Sequence, residues 1–228
     1  MVRHADDMRT HLLALKALRG GAGRVPPRLA ELKRWQAARL AATYADISAE
    51  PRFHAATAFF LEDLYGAKDF SARDQSMLRI VPVMSRLLPE SAVETAALAI
   101  ELEALSEALD HRLAAALPEG PIDEEAYGEA YRASSTRTER ERQIELIVAV
   151  GERLDALVRK PFIFQTLKLM RQPARLAGLS DLQDFLERGF EAFLEMGGAK
   201  LFLATIRERE TAILRSLFSG APMPFSPS

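Results

Sequence analysis

Apolar residues recur three and four apart along most of the chain, and no stretch alternates apolar with polar over a strand's length. The first spacing lines one face of a helix; the second would line one face of a sheet. Ala, Leu, Glu and Arg dominate and β-branched residues are scattered, so helix propensity agrees with the pattern. The expectation is an all-α protein: a single helical bundle of about eight helices with an N-terminal helical arm.

The breaks between helices follow Gly and Pro. A first helix is expected over residues 6–19, with Met8, Leu12, Leu15 and Leu18 on one face. GGAGRVPP, residues 20–27, then interrupts the chain. This predicts an arm over 1–20, a hinge over 21–27, a helical bundle over 28–218 and a flexible tail over 219–228. Further helices are expected over 27–47, over 51–65 with Gly66 as a left-handed cap, and from Ser71 with a kink or break at Pro82. A long helix over 90–117 comes next, then a short one carrying Tyr127 and Tyr131. TRTE, residues 136–139, reads as a capping box opening a helix that runs to residue 159. Pro161 and Pro173 break up the following region, Ser180 is expected to cap a helix ending at Gly197-Gly198, and a last helix ends near Phe218.

Composition narrows the chemistry. The chain has 228 residues, is 48% hydrophobic and carries a formal charge of -2, with both signs mixed along it. A balanced charge provides no global field, so neither nucleic acid nor a membrane is expected as a partner. Cysteine is absent, which excludes disulfides, thiolate metal sites and a cysteine nucleophile. No apolar run reaches the roughly 20 residues of a membrane span. The N-terminus scatters charges, Asp6 and Asp7 among them, through its apolar residues and reads as neither a secretory signal nor a transit peptide. These features point to the cytoplasm. The remaining partner class is another protein or a second copy of the chain.

Charged residues inside apolar patterns raise the functional question. On the helix from Pro51, Phe53, Thr57, Phe60, Leu61 and Leu64 form one arc, at about 100° per residue. Phe59, Glu62 and Asp63 fall behind it. With Tyr65 they make a candidate surface motif: an aromatic anchor with a polar rim, or simply a solvated face. The long helix is apolar around more than half its girth, with Glu94 and Glu101 set between its flanks, and it should be central. In the last helix Glu210 sits at the midpoint of the stripe Leu203, Ile206, Ile213, Leu214 and Leu217. The stripe of the helix after Thr136 continues backwards through Gln143 and Arg140. A carboxylate in such a place needs a partner or must stay neutral. Glu94, Glu101, Glu210, Arg140, Gln143 and His54 are therefore the candidate interior polar residues. They serve either a hydrogen-bonded network that fixes helix register or the lining of a small-molecule pocket.

No metal site is assigned. Carboxylate metal sites in bundles use Glu-x-x-His, and none occurs; the nearest local pair, Glu107 and His111, is four apart, with Glu107 pointing away from the central face. No catalytic residue is assigned, since no nucleophile motif or phosphate loop appears. No cofactor can be named from the sequence. Arg159, Lys160, Lys168, Arg171 and Arg175 form a basic stretch near Phe162 and Phe164, best read as a solvated face. Leu182, Phe185, Leu186, Phe190, Phe193 and Met196 make an aromatic core face, and Gly189 on it suggests close helix contact.

FFLEDLYG, residues 59–66, resembles the signature of the FFLEELY-motif proteins, a bacterial family without an assigned activity. Phe59, Phe60, Leu61, Glu62, Leu64 and Tyr65 match; Asp63 replaces the usual Glu. The segment over 160–198 is also similar to that family's C-terminal half. The resemblance implies no substrate, cofactor or catalytic residue, but it gives Glu62 and Asp63 more weight. Two functions follow from the sequence: a non-enzymatic binding or interaction module, as a homodimer or with another protein, and a helical-bundle enzyme or ligand- or metal-binding protein with carboxylates lining an interior pocket.

Overall fold

The computed structural model of the chain describes residues 2–19, 25–60, 89–176, 178–221 and 224–225. Among these the protein is an all-α bundle with no strand. No described helix is long and apolar enough to cross a membrane.

Local chemistry places the helix ends. Helix α1 (Val2–Arg19) precedes α2 (Pro27–Thr43), α3 (Ala45–Ala49) and α4 (Pro51–Phe59). Pro27 and Pro51 open their helices, where a missing N–H is harmless. The sequence suggested a continuous helix to residue 47, but Tyr44 breaks it. Tyr44 is buried, and its hydroxyl donates to Glu210 Oε1 at 2.9 Å. The expected helix from Ser71, its kink at Pro82, and the Gly66 cap lie outside the described residues.

The long helix α5 (Glu90–Ala116) matches its expected bounds to within a residue. Asp123 caps α6 (Glu124–Ser134) by accepting from the Ala126 N–H at 2.8 Å. The Thr136–Glu139 capping box opens α7 (Arg137–Val158). Next come α8 (Pro161–Leu169) and α9 (Arg171–Leu176). Their break precedes Pro173 by a turn, because the ring would collide with the Leu169 carbonyl in a continuous helix. Helix α10 (Ser180–Met196) starts on Leu179, with no side-chain cap, so Ser180 is its first residue rather than its cap. Gly197, at φ 65, ends it in the left-handed conformation. Helix α11 (Lys200–Ser219) closes the bundle.

Three apolar clusters hold these helices. Met8, Leu12 and Leu15 of α1 dock on Val93, Ala97, Ile100 and Ala104 of α5. Leu29 and Leu32 of α2 meet Leu113 of α5, Tyr127 and Tyr131 of α6, and Ile213 and Leu217 of α11. The largest cluster joins Phe53 of α4, Ile147 of α7, Phe193 of α10 and Phe202 of α11. Helices α7 and α11 approach closely: a Cβ on Gly151 would lie 2.4 Å from Leu203 Cδ2. The alanines of α5 let its neighbours close in similarly, which suits a central helix.

Candidate ligand site in the bundle interior

The described residues line a partly open cavity of about 660 Å³, within the range of roughly 300–1,000 Å³ for small-molecule sites. Its walls are mostly apolar, with Leu102, Ile147, Leu154, Phe193, Phe202 and Ile206 among them. One end, where α1, α2, α5, α6, α7 and α11 meet, is crowded with polar groups. Along α5, Ala99, Glu103, Ser106 and Asp110 fall three and four apart and face it together.

Two ion-pair groups organise the polar end. In the first, Glu107 of α5 accepts from Arg19 Nη2 at 3.0 Å and Lys33 Nζ at 2.9 Å, with His111 Nε2 3.4 Å away. Arg19 also reaches Glu103 at 2.9 Å. Burial pushes the Glu107 carboxyl up, but Lys33 and Arg19 outweigh it and hold it below the usual range. In the second, Arg39 Nη1 donates to Glu210 Oε1 at 2.7 Å, an oxygen that also takes the Tyr44 hydroxyl. Burial lowers the Arg39 pKa, and Glu210 more than restores it, so the guanidinium stays charged.

Asp110 and Arg140 lack such pairing. The Asp110 carboxylate accepts from Gln36 Nε2 at 3.0 Å, and no acid–base pair at bonding distance involves it among the described residues. Burial pushes its pKa up, only partly offset by the Gln36 hydrogen bond and by Lys33 and Arg140 at longer range. Asp110 lies deep in the protein yet keeps accessible surface, as does Arg39. The two observations agree if both face the cavity rather than bulk water. Arg140 is 3% exposed. Its Nε donates to Ser135 Oγ at 3.1 Å and its Nη1 to Gln143 Oε1 at 3.1 Å, both neutral. Its guanidinium sits 4.1 Å from the Tyr131 ring centre, and its Nη2 has no hydrogen-bond partner. Gln143 passes the chain on by donating to Ser106 Oγ at 2.8 Å.

The sequence-derived candidates divide accordingly. Arg140, Gln143 and Glu210 line the cavity. Glu94 and Glu101 do not: they sit a third exposed on the flank of α5, paired with Arg153 at 2.6 Å and Arg142 at 2.7 Å of α7. The two arginines draw them out of the seam to its wet rim. His54 is exposed and its Nδ1 lies 3.3 Å from the Ser48 carbonyl, away from the cavity. Glu107, read from the sequence as pointing outward, is buried at 6% exposure because α1 and α2 bring Arg19 and Lys33 over it. Neither it, Asp110, Lys33 nor Arg39 stood out, since their partners come from distant helices. The surface motif loses its anchor: Phe59 is buried, its ring against Gly189 and 5.3 Å from that of Phe185. Glu62, Asp63 and Tyr65 lie outside the described residues. Within those residues, no group of three or more His, Asp or Glu is placed to hold a metal ion.

No curated protein and no solved structure matches the chain. A family model described as a domain of unknown function, DUF8198, matches residues 21–224, and the chain belongs to that family.

Proposed function

We propose that this protein is a non-enzymatic binding protein whose interior cavity takes a small amphipathic molecule. The supporting observation is the combination of a large, mainly apolar cavity with charged and hydrogen-bonding groups gathered at one end. Apolar walls supply affinity and a few fixed polar groups orient the guest. The absence of cysteine suits a reducing cytoplasm. A purely surface-driven interaction module has less support, because Phe59 is buried in its own chain.

The test is a binding titration of single-chain amphiphiles against the wild type and Ala99→Leu, whose added carbons would enter the cavity from the α5 wall. The wild type is expected to bind with one-to-one stoichiometry and the variant to bind at least about tenfold more weakly without loss of melting temperature. Equal binding by the two proteins would place the guest elsewhere.

A further inference from the structure

Arg140 is the group the bundle leaves unanswered. The other cations at the polar end, Arg19, Lys33 and Arg39, each hold a carboxylate. Arg140, equally deep, has only a hydroxyl, a side-chain amide and an aromatic face, with Nη2 unpartnered. Arg39 Nε is unpartnered too. Both guanidiniums lie close enough to Tyr131 to act on its hydroxyl. Buried N–H donors without acceptors are rare and costly in folded proteins, and both residues line the cavity.

We propose that this end receives a monoanionic oxyanion, the carboxylate head of a single-chain amphiphile, with Arg140 as its principal donor and Arg39 beside it. The proposal rests on the cavity reading above and names the chemistry of the guest. Gln143 holds the place of the carboxylate in the empty site. Its Oε1 accepts from Arg140 Nη1, and its Nε2 bond to Ser106 gives the side chain a second anchor when the guest displaces it.

Charge favours a single negative group. Glu103, Glu107 and Glu210 are each matched to a cation. Asp110 is hydrogen-bonded to the Gln36 amide. Arg140 is the cation of this group with no carboxylate at bonding distance among the described residues, so a guest carboxylate supplies one matching charge and a phosphate dianion would exceed it. Shape favours a single chain. Arg140, Gln143, Ile147 and Leu154 line the cavity from one face of α7, a run of roughly 20 Å at 1.5 Å per residue. A head group at Arg140 directs its tail along that face towards Phe193 and Phe202.

The experiment is calorimetric titration of the full chain with dodecanoate, dodecanol, dodecylammonium and dodecyl phosphate. Dodecanoate should bind tightest. Arg140→Met should weaken dodecanoate roughly ten- to a hundredfold and leave dodecanol unchanged. If Arg140→Met does not fold, Arg140→Lys carries the test, with at least a severalfold loss for dodecanoate alone. Dodecanol binding as tightly as dodecanoate, tighter binding of the ammonium or the phosphate, or no loss in the Arg140 variants would overturn the carboxylate site while leaving the cavity reading intact. Failure of all four amphiphiles to bind would overturn both.

Discussion

Neutralising Glu107 would take the charged partner from Lys33 and one of the ion pairs from Arg19. Arg19 and Lys33 both bond that carboxylate and are only 11% and 13% exposed. Glu107→Gln is expected to cost about 3–5 kcal/mol in a denaturation experiment. Glu101→Leu offers the contrast. Its partner Arg142 is 48% exposed, so the change should stay within about 1 kcal/mol. Asp110 should behave in the opposite sense to Glu107. Its folded-state carboxyl titrates above its unfolded one, so ionisation favours the unfolded chain as pH rises between the two. Asp110→Asn should therefore melt higher than wild type at neutral pH, with the difference disappearing as pH falls below the unfolded carboxyl's range. Parallel thermal melts across pH measure this directly. At Gly189 the limit is steric: an added Cβ would lie 2.7 Å from the tip of the Phe59 ring. Gly189→Ala should lose about 1–3 kcal/mol by overpacking.

At the scale of elements, the start of α7 fixes where Arg140 sits. The Thr136 N–H and hydroxyl both donate to Glu139 Oε2, at 2.8 and 2.9 Å. Those bonds and Arg112 hold the Glu139 carboxyl down to about 2. Because the folded pKa is depressed, the stabilisation is complete above the ordinary carboxylate range and is lost as pH falls towards 2. Thr136→Ala should cost about 1 kcal/mol at neutral pH and progressively less in acid, read from denaturant midpoints at each pH. This cap was legible in the sequence because all its parts lie within four residues. So was the docking face of α1, whose Met8, Leu12 and Leu15 are all buried. Ser180 misled, since a hydroxyl next to a helical pattern does not say whether it stands at the cap or one place inside it. The break at Tyr44 was hidden for another reason: no Gly or Pro marks it in the sequence.

For the whole molecule, helical periodicity sufficed to place α5 at the centre of an all-α bundle. Of the interior polar candidates it suggested, Arg140, Gln143 and Glu210 line the cavity. It failed for Glu94 and Glu101 because a wheel measures angle and not the reach of arginines on the facing helix. It failed for Glu107 because burial there comes from α1 and α2, whose docking the α5 pattern does not encode. Assembly of the polar end thus depends on tertiary packing of six helices. The most direct measurement is the electron density of crystals grown with dodecanoate. The account predicts one extended chain in the cavity, its carboxylate hydrogen-bonded to Arg140 and its tail along Ile147 and Leu154. An interior filled by the protein's own side chains, or a guest with its head group away from Arg140, would contradict it.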